Sequence, residues 1–163
     1  MNKFVDRIWI DGIEYDHNLD LKIEFGLESL RSRSASSMVL GRVEDRDAYL
    51  EIERVGDLFV VRGSEDSIQR GTFGFCLYRS EEPDSYVDTR EGPFPRYGAT
   101  PSFDYLVEIA RTYYESGDIP RKTNWLVGSN GLGVSKTHIR PELVLETGDT
   151  RPLEVFAKGG DVR

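Results

Sequence analysis

Few side chains in this sequence have the types and spacing that catalysis or metal binding requires. His17 and His138 are the two histidines of the 163-residue chain, and His17 lies between Asp16 and Asp20. A histidine among carboxylates could contribute to a metal site, but neither histidine has the close His or Cys partner of a zinc motif. We therefore predict no metal site. Because the members of a Ser–His–Asp triad meet only in space, the sequence leaves a catalytic role for either histidine open.

The single cysteine, Cys76, stands in the strand-like run 72–78 with no histidine near it in sequence. We interpret it as a small buried side chain rather than a nucleophile. One cysteine also rules out an internal disulfide framework and fits a reducing compartment. With no signal-peptide pattern and no apolar run of bilayer length, a cytoplasmic protein is expected.

A glycine-rich segment, 128–133, is similar at first sight to a phosphate-binding loop. That motif requires lysine directly after its last glycine, where it can reach the terminal phosphates. Val134 occupies that position here, and Lys136 comes two residues late. We therefore predict a loop with no nucleotide in it, and no cofactor for the protein.

The chain is acidic, with a net charge of −8 from 29 acidic and 21 basic residues. This balance disfavours nucleic acid as a partner and favours a basic protein. The polar segment 80–99 contains three prolines and is long for a connection, which is typical of a functional or flexible loop. We predict that it carries the partner-binding residues Glu81, Glu82, Asp84, Tyr86, Asp88 and Glu91. The alternative is a solvated loop whose aromatic residues fold back onto the core.

One helix is marked at both ends. Its apolar residues recur with helical spacing, which predicts one buried face. Thr100 is predicted as the N-cap, Pro101 as the first helical residue and Gly117 as the left-handed residue that ends the helix. The predicted stripe consists of Phe103, Leu106, Val107, Ala110, Tyr113 and Tyr114.

The other elements are mostly strands. Asp11-Gly12 predicts a tight hairpin, and a second hairpin is expected around residues 55–57. Residues 19–25 alternate apolar and polar, which predicts a strand. Further strands are predicted near 71–78 and 125–127. The expected fold is α+β, with a mostly antiparallel sheet and one main amphipathic helix, about 101–116, packed on one face. Residues 1–157 are predicted to form a single domain and 158–163 a frayed tail.

The region around this helix resembles a family of bacterial immunity proteins that accompany polymorphic toxins, often deaminases or nucleases. The shared features are a proline-led helix beginning at Pro101, a turn with Gly117 and Pro120, and a following strand with Trp125. The resemblance implies an α+β protein that binds and neutralises a cognate toxin, without a reaction or cofactor of its own. Two alternatives stay open: a small-molecule-binding domain or enzyme with a site between sheet and helix, and an acidic scaffold or phage-encoded interaction protein.

Overall fold

The computed structural model describes residues 2–67, 71–79, 85–120, 124–128 and 144–145. In this part of the chain an antiparallel sheet of nine strands dominates, with the strand order β11-β10-β6-β5-β4-β3-β1-β2 and β9 paired to β5. Its strands are β1 Arg7–Ile10, β2 Ile13–Tyr15, β3 Ser37–Gly41, β4 Tyr49–Val55, β5 Leu58–Ser67, β6 Gly71–Tyr78, β9 Ala99–Thr100, β10 Asn124–Gly128 and β11 Val144–Leu145. A separate hairpin consists of β7 Tyr86–Thr89 and β8 Gly92–Pro95.

The predicted hairpins are confirmed. Asp11 and Gly12 join β1 to β2 with φ angles of 49° and 84°, the left-handed backbone that a two-residue turn needs. Gly56, at φ 61°, lies in the turn between β4 and β5. These turns set the register of both strand pairs, which places alternate residues on opposite faces of the sheet.

The predicted main helix is α2, Phe103–Ser116, and it ends as expected at Gly117, whose φ is 75°. Its start differs from the prediction. Ser102 is the N-cap, because its hydroxyl accepts a hydrogen bond from the amide of Tyr105 at 3.1 Å. The Thr100 hydroxyl instead accepts from the amide of Ser102 at 3.1 Å, so Pro101 precedes the helix.

Replacing Ser102 by alanine is expected to lower the free energy of unfolding by about 1 kcal/mol, because an amide of the first turn loses its acceptor. Urea denaturation of the variant would measure this loss. Ser102→Asp is the matched control, because its carboxylate can accept the same hydrogen bond, and its stability is expected to stay close to that of the parent chain. Equal stability of Ser102→Ala and the parent chain would contradict the assigned cap.

The predicted strand at residues 19–25 is wrong. Residues Leu19–Ser32 form a helix, α1. Of the alternating apolar side chains only Ile23 is buried within that stretch, whereas Leu21 and Phe25 are 70% and 55% exposed. The buried stripe continues through Leu27 and Leu30, beyond the predicted strand. The fold is therefore the expected α+β arrangement, with two helices instead of one.

Both helices pack on one face of the sheet, and the core lies between the two layers. The α2 side chains Leu106, Ile109, Ala110, Tyr113 and Tyr114 are buried, while Phe103 and Val107 of the predicted stripe are only partly buried. From the sheet, the fully buried side chains include Ile8, Leu40, Leu50, Ile52, Leu77 and Trp125. Trp125 lies on β10, as the sequence predicted, and contacts Phe75 edge-on at 5.9 Å between ring centroids.

An N-terminal arm, residues 3–5, joins the sheet to the end of α2. The amides of Phe4 and Val5 donate to the carbonyls of Glu115 and Tyr114 at 3.1 and 3.2 Å. The Lys3 ammonium is 2.8 Å from the Glu115 carboxylate. The arm thus gives hydrogen-bond donors to carbonyls at a helix end, which lack partners within the helix itself.

Candidate functional site: a clamped hairpin and an open groove

Three of the six predicted partner-binding residues belong to the described part of the chain. Glu81, Glu82 and Asp84 lie outside the described residues. Tyr86 and Asp88 are on β7, and Glu91 is in the turn before β8. The described part of the predicted loop is therefore a hairpin followed by a short 3₁₀ turn, Arg96–Gly98.

The hairpin has a buried side and an exposed side. Val87 and Phe94 face each other across its strands and are buried, and Tyr97 contacts Tyr78 of β6 at 4.9 Å between ring centroids. Its apolar side therefore packs on the protein, as the alternative interpretation of the loop expected. Asp88 is exposed, as is more than half of the Glu91 side chain. The structure thus separates anchoring apolar residues from displayed carboxylates.

A nearly buried ion network holds this hairpin against the sheet. Arg62 of β5 is paired in register with Glu51 of β4, and its Nε lies 3.0 Å from the Glu51 carboxylate. Its Nη2 donates to Glu53 at 3.3 Å, and Phe94 covers the guanidinium at 5.1 Å from the ring centroid. Arg62 and Glu53 are 5% and 4% exposed. Charges this deeply buried are tolerated only when they are paired.

The turn of the hairpin completes the network. The backbone amide of Arg90 donates to the second Glu53 oxygen at 2.9 Å, and its guanidinium is 3.7 Å from Glu51. Glu91 is 3.8 Å from the Arg62 guanidinium. The hairpin turn is therefore fixed by backbone and side-chain contacts together, and Glu91 is held partly exposed beside it.

The sequence analysis missed Glu51, Glu53 and Arg62, although a signal for them was present. In β4 the glutamates alternate with Leu50 and Ile52, which places both carboxylates on one face. A two-residue turn that pairs 55 with 58 also pairs 51 with 62, as observed. The sequence analysis placed the turn at residues 55–57, which would pair 54 with 58 and Arg62 with Leu50, so the observed pairing of Arg62 with Glu51 was not predicted.

Next to the hairpin, the face of the sheet opposite the helices carries an open groove of about 470 Å³. Its lining includes partly buried Trp9 and Val39, with Gly41 and Tyr49 beside them. The Trp9 ring passes within 3.3 Å of the position that a Cβ on Gly41 would occupy, so glycine lets the indole lie close to the strand. The other residues along the groove are Gly12, Glu14, Ser37, Arg42, Val43, Arg46, Ala48 and Arg90.

A second cavity, of about 380 Å³, lies between the two helices and the N-terminal arm. Its charged groups are paired: Arg111 with Glu24, and Lys3 with Glu115. The Tyr114 hydroxyl donates to Asp20 at 2.6 Å. Burial and this carboxylate both raise the pKa of Tyr114. These pairs join α1, α2 and the arm, which gives the cavity a structural role.

His17 does not line this cavity or the groove. His17 is exposed, and its Nδ1 lies 2.7 Å from the Asp16 carboxylate. The His17 hydrogen bond holds the pKa of Asp16 below its usual value. His138 lies outside the described residues, as do residues 129–133 of the glycine-rich segment and the predicted tail, 158–163. Within the described ranges no group of three or more His, Cys, Asp or Glu residues could hold a metal ion.

Cys76 is fully buried in β6, as predicted, and burial raises the pKa of its thiol to about 12. Almost no thiolate forms in mildly alkaline solution, and the thiolate is the reactive species. Ellman's reagent is therefore expected to leave the native protein unlabelled and to label one thiol per chain in urea. Full labelling without denaturant would contradict this placement.

Neither α1 nor α2, nor the short helical turn between them, has the length and hydrophobicity needed to cross a membrane, and this holds for the described residues. A scan against protein-family models, a search of curated proteins and a search of solved structures each found no match for the chain.

Proposed function

We propose that the protein acts by binding another protein, as an immunity protein that neutralises a cognate bacterial toxin by covering its active site. The observation that carries this proposal is the clamped hairpin, β7–β8, which displays Asp88 and Glu91 from a turn fixed by buried ion pairs. The protein would act in the cytoplasm and without a cofactor, as a binder rather than an enzyme.

Rigid presentation supports tight inhibition, because a surface already ordered in the free protein loses less conformational entropy on binding. The Arg62 network supplies that order from beneath the hairpin. Its exposed carboxylates, on a chain of net charge −8, suit a partner with a basic cleft and would raise the association rate with it. A toxin that acts on nucleic acid has such a cleft, since it must bind phosphates.

Co-expression tests the proposal. The toxic domain encoded by the adjacent gene would be induced in bacterial cells with and without this protein, and colony counts compared. We expect survival with the parent chain and at least a tenfold loss of survival with the double charge reversal Asp88→Lys/Glu91→Lys, because two attractive contacts become repulsive.

The matched control is Asp104→Lys, at an exposed carboxylate on α2, across the sheet from the hairpin. It should protect as well as the parent chain. Killing despite the parent protein would contradict the immunity function. Full protection by the hairpin double variant would instead remove the hairpin from the interface.

A further inference from the structure

The open groove beside the hairpin combines an aromatic floor with cationic walls. Trp9 lies over Gly41, and Tyr49 and Val39 adjoin it. Arg46 and Arg90 line the same groove from two separate segments. Arginine together with Trp and Tyr is the composition that concentrates binding energy in protein interfaces.

The positive charge of the lining is only partly neutralised by neighbouring carboxylates. Arg46 is exposed and, among the described residues, takes part in no ion pair or side-chain hydrogen bond. Arg90 approaches Glu51 only to 3.7 Å, and its side chain is more than half exposed. Glu14, the single carboxylate of the lining, is paired with Arg7 at 3.1 Å. The groove therefore offers the Arg46 and Arg90 guanidinium groups to an incoming anion, while that of Arg42, also in the lining, lies over the Phe4 ring at 4.9 Å.

Carboxylates outside the lining limit what that anion can be. Glu44, Asp45 and Asp47 flank Arg46 in sequence but do not line the groove. A polyanion extending past Arg46 would meet these acidic groups, whereas a single carboxylate between the arginines would not. The apolar floor would at the same time take an aromatic or aliphatic side chain next to that carboxylate.

We infer that this groove is a docking site for a segment of a partner protein in which an acidic side chain adjoins an aromatic or aliphatic one. Its volume, about 470 Å³, is within the usual range of pockets that hold a few such groups. The inference is independent of the toxin proposal, because it follows from the lining alone and is tested without a toxin.

The test uses the full chain labelled with ¹⁵N and a capped peptide, Gly-Asp-Phe-Leu-Asp-Gly, as the probe. Two further peptides replace both Asp residues by Asn or by Lys. The indole N–H resonance of Trp9 reports on the groove, while that of Trp125, buried and bonded to the Pro120 carbonyl, serves as the internal reference.

The Asp peptide is expected to shift the Trp9 resonance saturably in the millimolar range and to leave Trp125 unchanged. The Asn peptide should bind at least about fivefold more weakly, since charge-assisted hydrogen bonds are about twice as strong as neutral ones. Arg46→Gln should weaken binding of the Asp peptide to the same extent, and within the described part of the chain it breaks no ion pair or side-chain hydrogen bond. Arg33→Gln, at an exposed arginine after α1, should leave binding of the Asp peptide unchanged.

Four results would overturn the inference. They are no Trp9 shift with the Asp peptide, equal binding of the Asp and Asn peptides, tighter binding of the Lys peptide, and unchanged binding by Arg46→Gln. Sodium acetate is titrated separately. A Trp9 shift with acetate as large as that with the peptide would make the groove a simple anion site and would also refute a peptide-docking role.

Discussion

Arg62→Met is expected to lower the free energy of unfolding by about 3–5 kcal/mol, because breaking a buried ion pair leaves an uncompensated buried charge. Of its described partners, Glu53 would retain only the backbone amide of Arg90, and Glu51 only the more distant Arg90 guanidinium. Urea denaturation would measure the loss, and hydrogen exchange should show faster exchange in β7–β8, which the network holds.

Two variants make this prediction specific. Arg31→Met removes an exposed pair with Glu28 and should leave stability nearly unchanged, because exposed ion pairs contribute little. Arg62→Met combined with Glu51→Gln and Glu53→Gln should recover part of the loss, because the unpaired charges are then gone. A loss below 1 kcal/mol for Arg62→Met alone would show that the network contributes little to stability.

Trp125→Ala is expected to destabilise the fold by about 3–5 kcal/mol, the usual cost of removing a large aromatic side chain from a core. Trp125 has no exposed surface, contacts Phe75 edge-on, and donates its indole N–H to the Pro120 carbonyl at 2.9 Å. Its loss would leave a cavity beside β6 and an unpaired carbonyl after α2. Thermal and urea unfolding would both detect the change.

Trp9→Ala is the matched control, because the same side chain is removed from the open face, where it is only partly buried. We expect a markedly smaller loss there, since less apolar surface returns to water. Trp125→Phe should lose an amount of stability between those of Trp9→Ala and Trp125→Ala, because phenylalanine keeps most of the packing but not the hydrogen bond. Equal losses for Trp9→Ala and Trp125→Ala would contradict the layer arrangement described above.

The two helices explain which parts of the fold the sequence could predict. In α2 a hydroxyl cap at Ser102, a helical apolar stripe and Gly117 at the end all occur within one short segment. The prediction missed which hydroxyl caps the helix, started the helix at Pro101 instead of Phe103, and left buried Ile109 out of the stripe. In α1 the two end markers are absent: Asn18 precedes the helix at φ 55° without a side-chain cap bond, and Arg33 ends it at φ 69° without glycine.

Alternation at residues 19–25 then favoured a strand, although Ile23, Leu27 and Leu30 recur at helical spacing. What holds this segment as a helix is tertiary. Ile23, Leu27 and Leu30 pack into the core, and ion pairs and hydrogen bonds reach from α1 to α2. The two exposed apolar residues, Leu21 and Phe25, completed the misleading pattern. Such an override of local preference by packing is visible only once the second layer is known.

For the site, the sequence located the acidic segment but not its anchoring. Asp88 and Glu91 are displayed, as expected for a binding surface. Phe94 and the Arg62 network lie beneath these two carboxylates because the hairpin covers the sheet. That contact joins segments that are distant in sequence, and no local pattern predicts it. The open groove was likewise hidden, since its lining comes from four separate stretches of chain.

The arm at residues 3–5 connects the start of the sheet to the end of α2. Lys3 and Glu115 are 112 positions apart, so the bonds between arm and α2 close a loop that contains most of the described strands. Closure entropy rises only with the logarithm of loop length. Adding residues to the surface turns between these strands would therefore hardly weaken the contact between the arm and α2, whereas removing the arm would abolish that contact. The surface turns are the places where residues can be inserted with little effect on the contact between the arm and α2.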